Sequence, residues 1–177
     1  GVEIGGDKVV VSSIARASQD PHFLAAKPSY VVQLSHADML IHNGLELEIG
    51  WLPPILQQAR NPKILAGQPG NVDTSRGLRI LEFVPQADRS MGDVHPNGNP
   101  HTWLDPDNGK LIAANICKHL IAVDPDNADY YTSELEEFLL RLKAKISAWQ
   151  PLILKLKGKN IMTYHKSFTY FADWVGL

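Results

Sequence analysis

Three histidines stand in three separate motifs: Asp20-Pro21-His22, Asn99-Pro100-His101-Thr102-Trp103-Leu104-Asp105-Pro106, and Thr163-Tyr164-His165-Lys166-Ser167-Phe168. They are 79 and 64 residues apart in the chain. Each follows a loop or strand-end signal and none lies in an amphipathic stripe. Imidazole is the commonest side-chain metal ligand and is neutral near pH 7. Three imidazoles from distant segments supply most of a tetrahedral zinc shell. His22, His101 and His165 are therefore the candidate metal ligands.

Their neighbours admit two readings each. Asp20 and Asp105 can accept a ring N–H and fix a histidine tautomer; turn formation or helix capping competes equally for each. Trp103 can wall the site, although a core anchor is the commoner fate of tryptophan. His95 lies in a Gly/Pro-rich loop, where approach to the metal competes with simple solvation, and solvation is favoured. His36, His42 and His119 fit surface or strand-edge roles. Glu134, Glu136 and Glu137 read as a charged helix face.

Composition narrows the function classes. The chain has 177 residues, enough for one domain or two small lobes. Charged residues are 20% and the formal net charge is −2, with no basic stripe, which argues against nucleic acid as a partner. A single cysteine, Cys117, excludes an internal disulfide and a CxxC zinc site. It sits in an apolar helical run and is expected to be a buried, inert thiol. No apolar run approaches the roughly 20 residues of a membrane-spanning helix. The chain opens at Gly1 without an initiator Met and stops at Leu177 without a closing element, so an incomplete chain is expected.

The elements that must position the histidines alternate between strand and helix. Val9–Ile14 is β-branched and reads as a strand. A helix is expected from Ser29 to Ser35, then a short buried strand over Asp38–His42, stopped by Asn43-Gly44. Leu45–Arg60 reads as a helix in which Pro53-Pro54 suits a first turn. Residues 61–77 read as loop, Leu78–Val84 as a strand, and 86–100 as a polar loop ending at His101. Asp107–Val123 reads as a helix. Asp126–Lys157 keeps helical apolar spacing through Leu135, Phe138, Leu142, Ile146 and Trp149, with Pro151 as a candidate kink. At 32 residues it would run about 45–50 Å. Asn160–Tyr164 reads as a strand with His165 at its end, followed by a helix from Phe168. This alternation predicts α/β architecture, with ligands outside the carboxyl ends of strands.

In combination, Ser18-Gln19-Asp20-Pro21-His22, Gly92-Asp93-Val94-His95-Pro96-Asn97-Gly98-Asn99-Pro100-His101 and Tyr164-His165-Lys166-Ser167-Phe168 resemble the metal-binding solute-binding proteins of bacterial ABC importers, the ZnuA/TroA-like family. The resemblance runs over nearly the whole chain. It implies two α/β lobes joined by a long linker helix, with the metal between them and the C-terminal lobe truncated here. On that pattern residues 1–124 are the N-terminal lobe, 125–157 the linker helix and 158–177 the start of the C-terminal lobe. His22 and His101 then correspond to N-lobe ligands and His165 to the first C-lobe ligand. The fourth ligand, usually a carboxylate, and the first strand of the N-lobe have no counterpart in the chain.

The function so implied is capture of a divalent transition metal outside the cytoplasm and delivery to a membrane permease. The binding protein would be a monomer, periplasmic or anchored as a lipoprotein. Zn2+ is expected and Mn2+ is the alternative, because manganese prefers more oxygen ligands, and manganese binders in that family tend to carry a carboxylate where this chain has His165. A zinc-dependent hydrolase and a metal-binding surface adhesin are the competing readings. The hydrolase needs a general base beside the metal-bound water, and there is no HExxH, GxSxG or paired carboxylate near these histidines, so no enzyme is expected.

Overall fold

A computed structural model of the protein describes residues 1–84 and 95–177. The expected loop over 86–94, including Gly92–Val94 of the second motif, lies outside the described residues.

Proline early in the first turn marks several of the helix starts, where its missing N–H costs nothing. Helix α1 is one turn, Val2–Gly5. Helix α2, Pro28–Ser35, begins with proline at its first position, and Lys27 rather than Ser29 stands at its N-cap. Helix α3 spans only Leu52–Ala59, with Pro53 and Pro54 in its first turn. The turns over 45–51 take the place of the helix expected there, and Leu45 and Glu46 have positive φ. Helix α4, Pro106–Val123, is capped by Asp105, whose carboxylate accepts from Asp107 N–H at 2.8 Å. Helix α5, Ala128–Leu156, is entered through the 3₁₀ turn Pro125–Asn127 and runs through Pro151 without a break. Its 29 residues extend about 43 Å. Helix α6 is Thr169–Val175, closed by Gly176 at φ 76°.

The sheet is smaller than the pattern predicts. Strand β1, Leu40–His42, pairs in parallel with strand β2, Asn71–Asp73, in the register Leu40↔Asn71 and Ile41↔Val72. Strand β2 lies in the stretch expected as loop. Val9–Ile14, Leu78–Val84 and Asn160–Tyr164 carry no strand among the described residues. Their β-branched and apolar side chains satisfy the local preference, but a strand also needs a backbone partner.

Alternation along the two strands separates two cores. Leu40 faces one with Leu34, Trp51, Leu52, Ile55 and Ile64, beneath α2 and α3. Val72 faces the other with Ile4, Ala113, Ile116, Leu120 and Tyr131, beneath α1, α4 and α5. Cys117 is buried there, its thiol directed at the Tyr131 carbonyl. Beyond α5 the chain folds back. Gly158 N–H donates to Gly176 O, Trp174 Nε1 to Asp107, and Arg79 pairs with Asp173. The segment carrying His165 is thus attached to the body that carries His101.

Candidate metal centre

His22 sits in a tight turn in which Phe23 N–H donates to Asp20 O. The turn is tethered from the core: buried Trp51 donates its indole N–H to Pro21 O at 2.7 Å. Asp20 Oδ1 accepts from both His22 N–H (2.9 Å) and ring Nδ1 (2.7 Å). Turn formation and ring orientation are therefore one arrangement. Burial pushes the Asp20 carboxyl up, but the two His22 hydrogen bonds outweigh it and hold the group below its ordinary value. A carboxylate accepts only, so Nδ1 carries a proton, and in the neutral ring the lone pair is on Nε2. That Nε2 is buried and has no hydrogen-bond partner among the described residues.

His101 is held from several directions. It precedes the 3₁₀ turn Thr102–Leu104 and is 6% exposed. Gly98, three residues before it, has φ 104° and packs against Ile80, whose Cγ2 a Cβ would strike, so glycine is favoured there. The preceding carbonyl, Pro100 O, accepts from Asn43 Nδ2 at 2.5 Å, and Asn43 N–H in turn donates to Glu48. Burial raises the Glu48 pKa, opposed by the Asn43 hydrogen bond and by His42. Asn99 Oδ1 accepts from His101 N–H at 3.0 Å and lies 2.9 Å from ring Nδ1. As at His22, Nε2 is the nitrogen left for a ligand. Asn99, rather than Asp105, is thus the partner of this ring; Asp105 is a helix cap.

His165 has extended backbone just before the 3₁₀ turn Lys166–Phe168. The fold brings it to the other two. Ring centroids are 5.4 Å apart for His22–His101, 5.7 Å for His22–His165 and 5.4 Å for His101–His165. One ligand atom from each lies within 4.8 Å of the others. Tetrahedral zinc with bonds of about 2.0–2.1 Å spaces its ligands by roughly 3.3 Å, so small ring movements would close the set. The His101 pKa is lowered to about 4, chiefly by burial and then by His22, His165 and His95. The ring is therefore neutral at pH 7, the state that binds metal.

Two more rings border the cluster. Trp103 stands 5.2 Å from His101 and is 45% exposed, so it flanks the site and is not a core anchor. His95 lies 5.3 Å from His22. The solvated-loop reading understates it; its six-residue spacing from His101 is the available signal. The residue pattern assigns Asn99 no role of its own, although its place two residues before His101 suits an Asn side chain that turns back on the backbone.

His22, His101 and His165 together form a group that could hold a metal ion. The chain belongs to the family described as zinc-uptake complex component A, periplasmic (ZnuA), whose model matches residues 2–177. It is 30% identical over 182 residues to the manganese ABC transporter substrate-binding lipoprotein PsaA of Streptococcus pneumoniae serotype 4, covering 98% of this chain and 55% of that protein. It is 30% identical over 187 residues to the iron ABC transporter substrate-binding lipoprotein MtsA of Streptococcus pyogenes serotype M1, covering 98% and 54%. A crystal structure of ZnuA superposes with a TM-score of 0.81 at 31% identity, covering 99% of this chain and 62% of that one. The chain thus spans about half the length of these curated relatives. The mixed helix and sheet architecture is that of the ZnuA-like fold, and the family is one of substrate-binding components of metal transporters, not enzymes.

Proposed function

We propose that the protein captures a divalent transition metal through His22, His101 and His165 outside the cytoplasm and passes it to the permease of an ABC importer. The observation that carries this reading is the approach of three ligand atoms to within 4.8 Å, one of the histidines presenting a buried ring nitrogen without a partner among the described residues. The metal is cargo, and the residues fit it: Asp20 and Asn99 orient two of the rings.

Zinc is the proposed ion. The relatives named above are labelled for manganese and iron, and the family for zinc, so kinship alone does not choose. Three imidazoles suit zinc better than manganese. A hydrolase is disfavoured because Asp20 is engaged with His22 and orients a ring instead of serving a water. The working protein is read as a monomer, periplasmic or lipid-anchored. Residues 1–124 form its N-terminal lobe, 125–157 the linker helix and 158–177 the opening of the second lobe.

The test is equilibrium metal binding with a chelator indicator. One zinc per chain is expected, with loss of about 100-fold or more in affinity on His101→Ala, since a ligand costs at least as much as an outer-shell partner. Equal zinc binding by wild type and a His22→Ala/His101→Ala variant would sink the reading.

A further inference from the structure

Asn99 is 5% exposed, yet its side-chain amide is used on both sides. Its oxygen meets His101 N–H and ring Nδ1. Its nitrogen donates to Glu82 Oε2 at 2.8 Å, to Lys166 O at 2.8 Å and to Thr169 Oγ1 at 3.2 Å. Lys166 directly follows His165. The backbone of Asn99 extends the junction: its N–H donates to Leu81 O at 2.8 Å, and its carbonyl accepts from Tyr170 OH at 2.9 Å. Tyr170, 2% exposed, also accepts from Leu81 N–H. Glu82 has φ 54°, a conformation that costs a non-glycine residue energy and persists where its surroundings impose it.

We propose that Asn99 is a positioning residue that couples two metal-binding segments: the same amide that orients the His101 ring clasps the main chain beside His165. The proposal rests on the metal reading above and deepens it. The amide orientation follows from its partners. The main-chain N–H of His101 is a donor, so oxygen must face it, while Glu82 and the Lys166 carbonyl are acceptors, so nitrogen must face them; the ring Nδ1 facing the same oxygen then carries the proton. An aspartate could serve His101 as well or better. It could not donate to the Lys166 carbonyl, and it would set two carboxylates together at Glu82. Only an amide does both. Displacement of the His165 segment therefore pulls on the group that holds His101, and the two rings move as a unit.

The experiment compares wild type, Asn99→Asp and Asn99→Asp/Glu82→Gln. In the double variant the amide introduced at position 82 donates to the carboxylate introduced at position 99, restoring that contact with donor and acceptor exchanged. For Asn99→Asp we expect faster hydrogen exchange across residues 166–172 of the metal-free protein, an unchanged Nδ1–H tautomer at His101 by ¹⁵N NMR, and zinc affinity lower by about 10- to 100-fold. The double variant should recover part of both losses. Glu82→Ala/Thr169→Val, which leaves Asn99 and His101 in place, guards against misfolding of the first variant; it should also speed exchange at 166–172 and weaken zinc. Wild-type exchange rates at 166–172 in both Asn99→Asp and Glu82→Ala/Thr169→Val, or no recovery in Asn99→Asp/Glu82→Gln, would overturn the coupling. Absence of zinc binding by wild type would overturn the metal reading instead, while the exchange and tautomer measurements would still decide the clasp.

Discussion

Asp20 and His22 form a closed unit in which one carboxylate oxygen holds both the main-chain N–H, at 2.9 Å, and the ring Nδ1, at 2.7 Å, of the same histidine. The ring cannot turn without giving up a charge-assisted hydrogen bond. Asp20→Ala should therefore lower zinc affinity by about 10- to 100-fold, the usual cost of losing an outer-shell partner. Asp20→Asn, which keeps an acceptor, should lose less. Competition with a calibrated chelator measures both, and equal affinity for Asp20→Ala and wild type would show that the turn alone sets the ring.

The metal-free protein should lose stability as the pH falls from 6.5 toward 4. His101 is held at about 4 when folded, against an ordinary value of 6.5, chiefly by burial. Between those values the unfolded chain binds more protons, so stability rises with pH through this window and levels off above it. Urea denaturation at pH 4.5, 5.5 and 7 gives the slope. His101→Gln, which removes the titrating group, should flatten it.

Metal preference should follow ligand type. Zinc should bind more tightly than manganese, and copper should compete with zinc in vitro because the intrinsic order favours it. Competition titrations establish the ranking. Manganese displacing zinc at equal concentration would reverse the assignment.

Gly98→Ala should destabilise the fold by about 2 kcal/mol or more, since it adds left-handed strain to a steric clash. The new Cβ would meet Ile80 Cγ2 at 2.1 Å and Leu81 O at 3.0 Å. Chemical denaturation gives the stability change, and zinc titration should show weaker binding because Asn99 is the next residue. A neutral effect on both would mean that the 98–101 turn relaxes freely.

Helices α4 and α5 were legible because their signals are local. The residue pattern starts α4 at Asp107, one residue inside its true start behind the Asp105 cap, Asp124-Pro125 announces the start of α5, and apolar spacing carries each helix onward. Strand β2 was not legible: Asn71–Asp73 becomes a strand by pairing with β1, and nothing within the stretch announces that partner. The inverse holds at Val9–Ile14 and Asn160–Tyr164, whose residue types favour extension but whose backbones find no ladder among the described residues. At the candidate site, side-chain chemistry made His22, His101 and His165 candidates, the three-motif resemblance to a metal-binding family singled them out together, and Asp20 was allowed its part. Tertiary structure decided the rest: the 4.8 Å approach of ligand atoms from segments 79 and 64 residues apart, the place of His95 against His22, and the two-sided role of Asn99. Residue type fixes what a group can bind and short-range hydrogen bonds fix its local turn, whereas encounters between distant segments depend on how the cores pack, which no local pattern encodes.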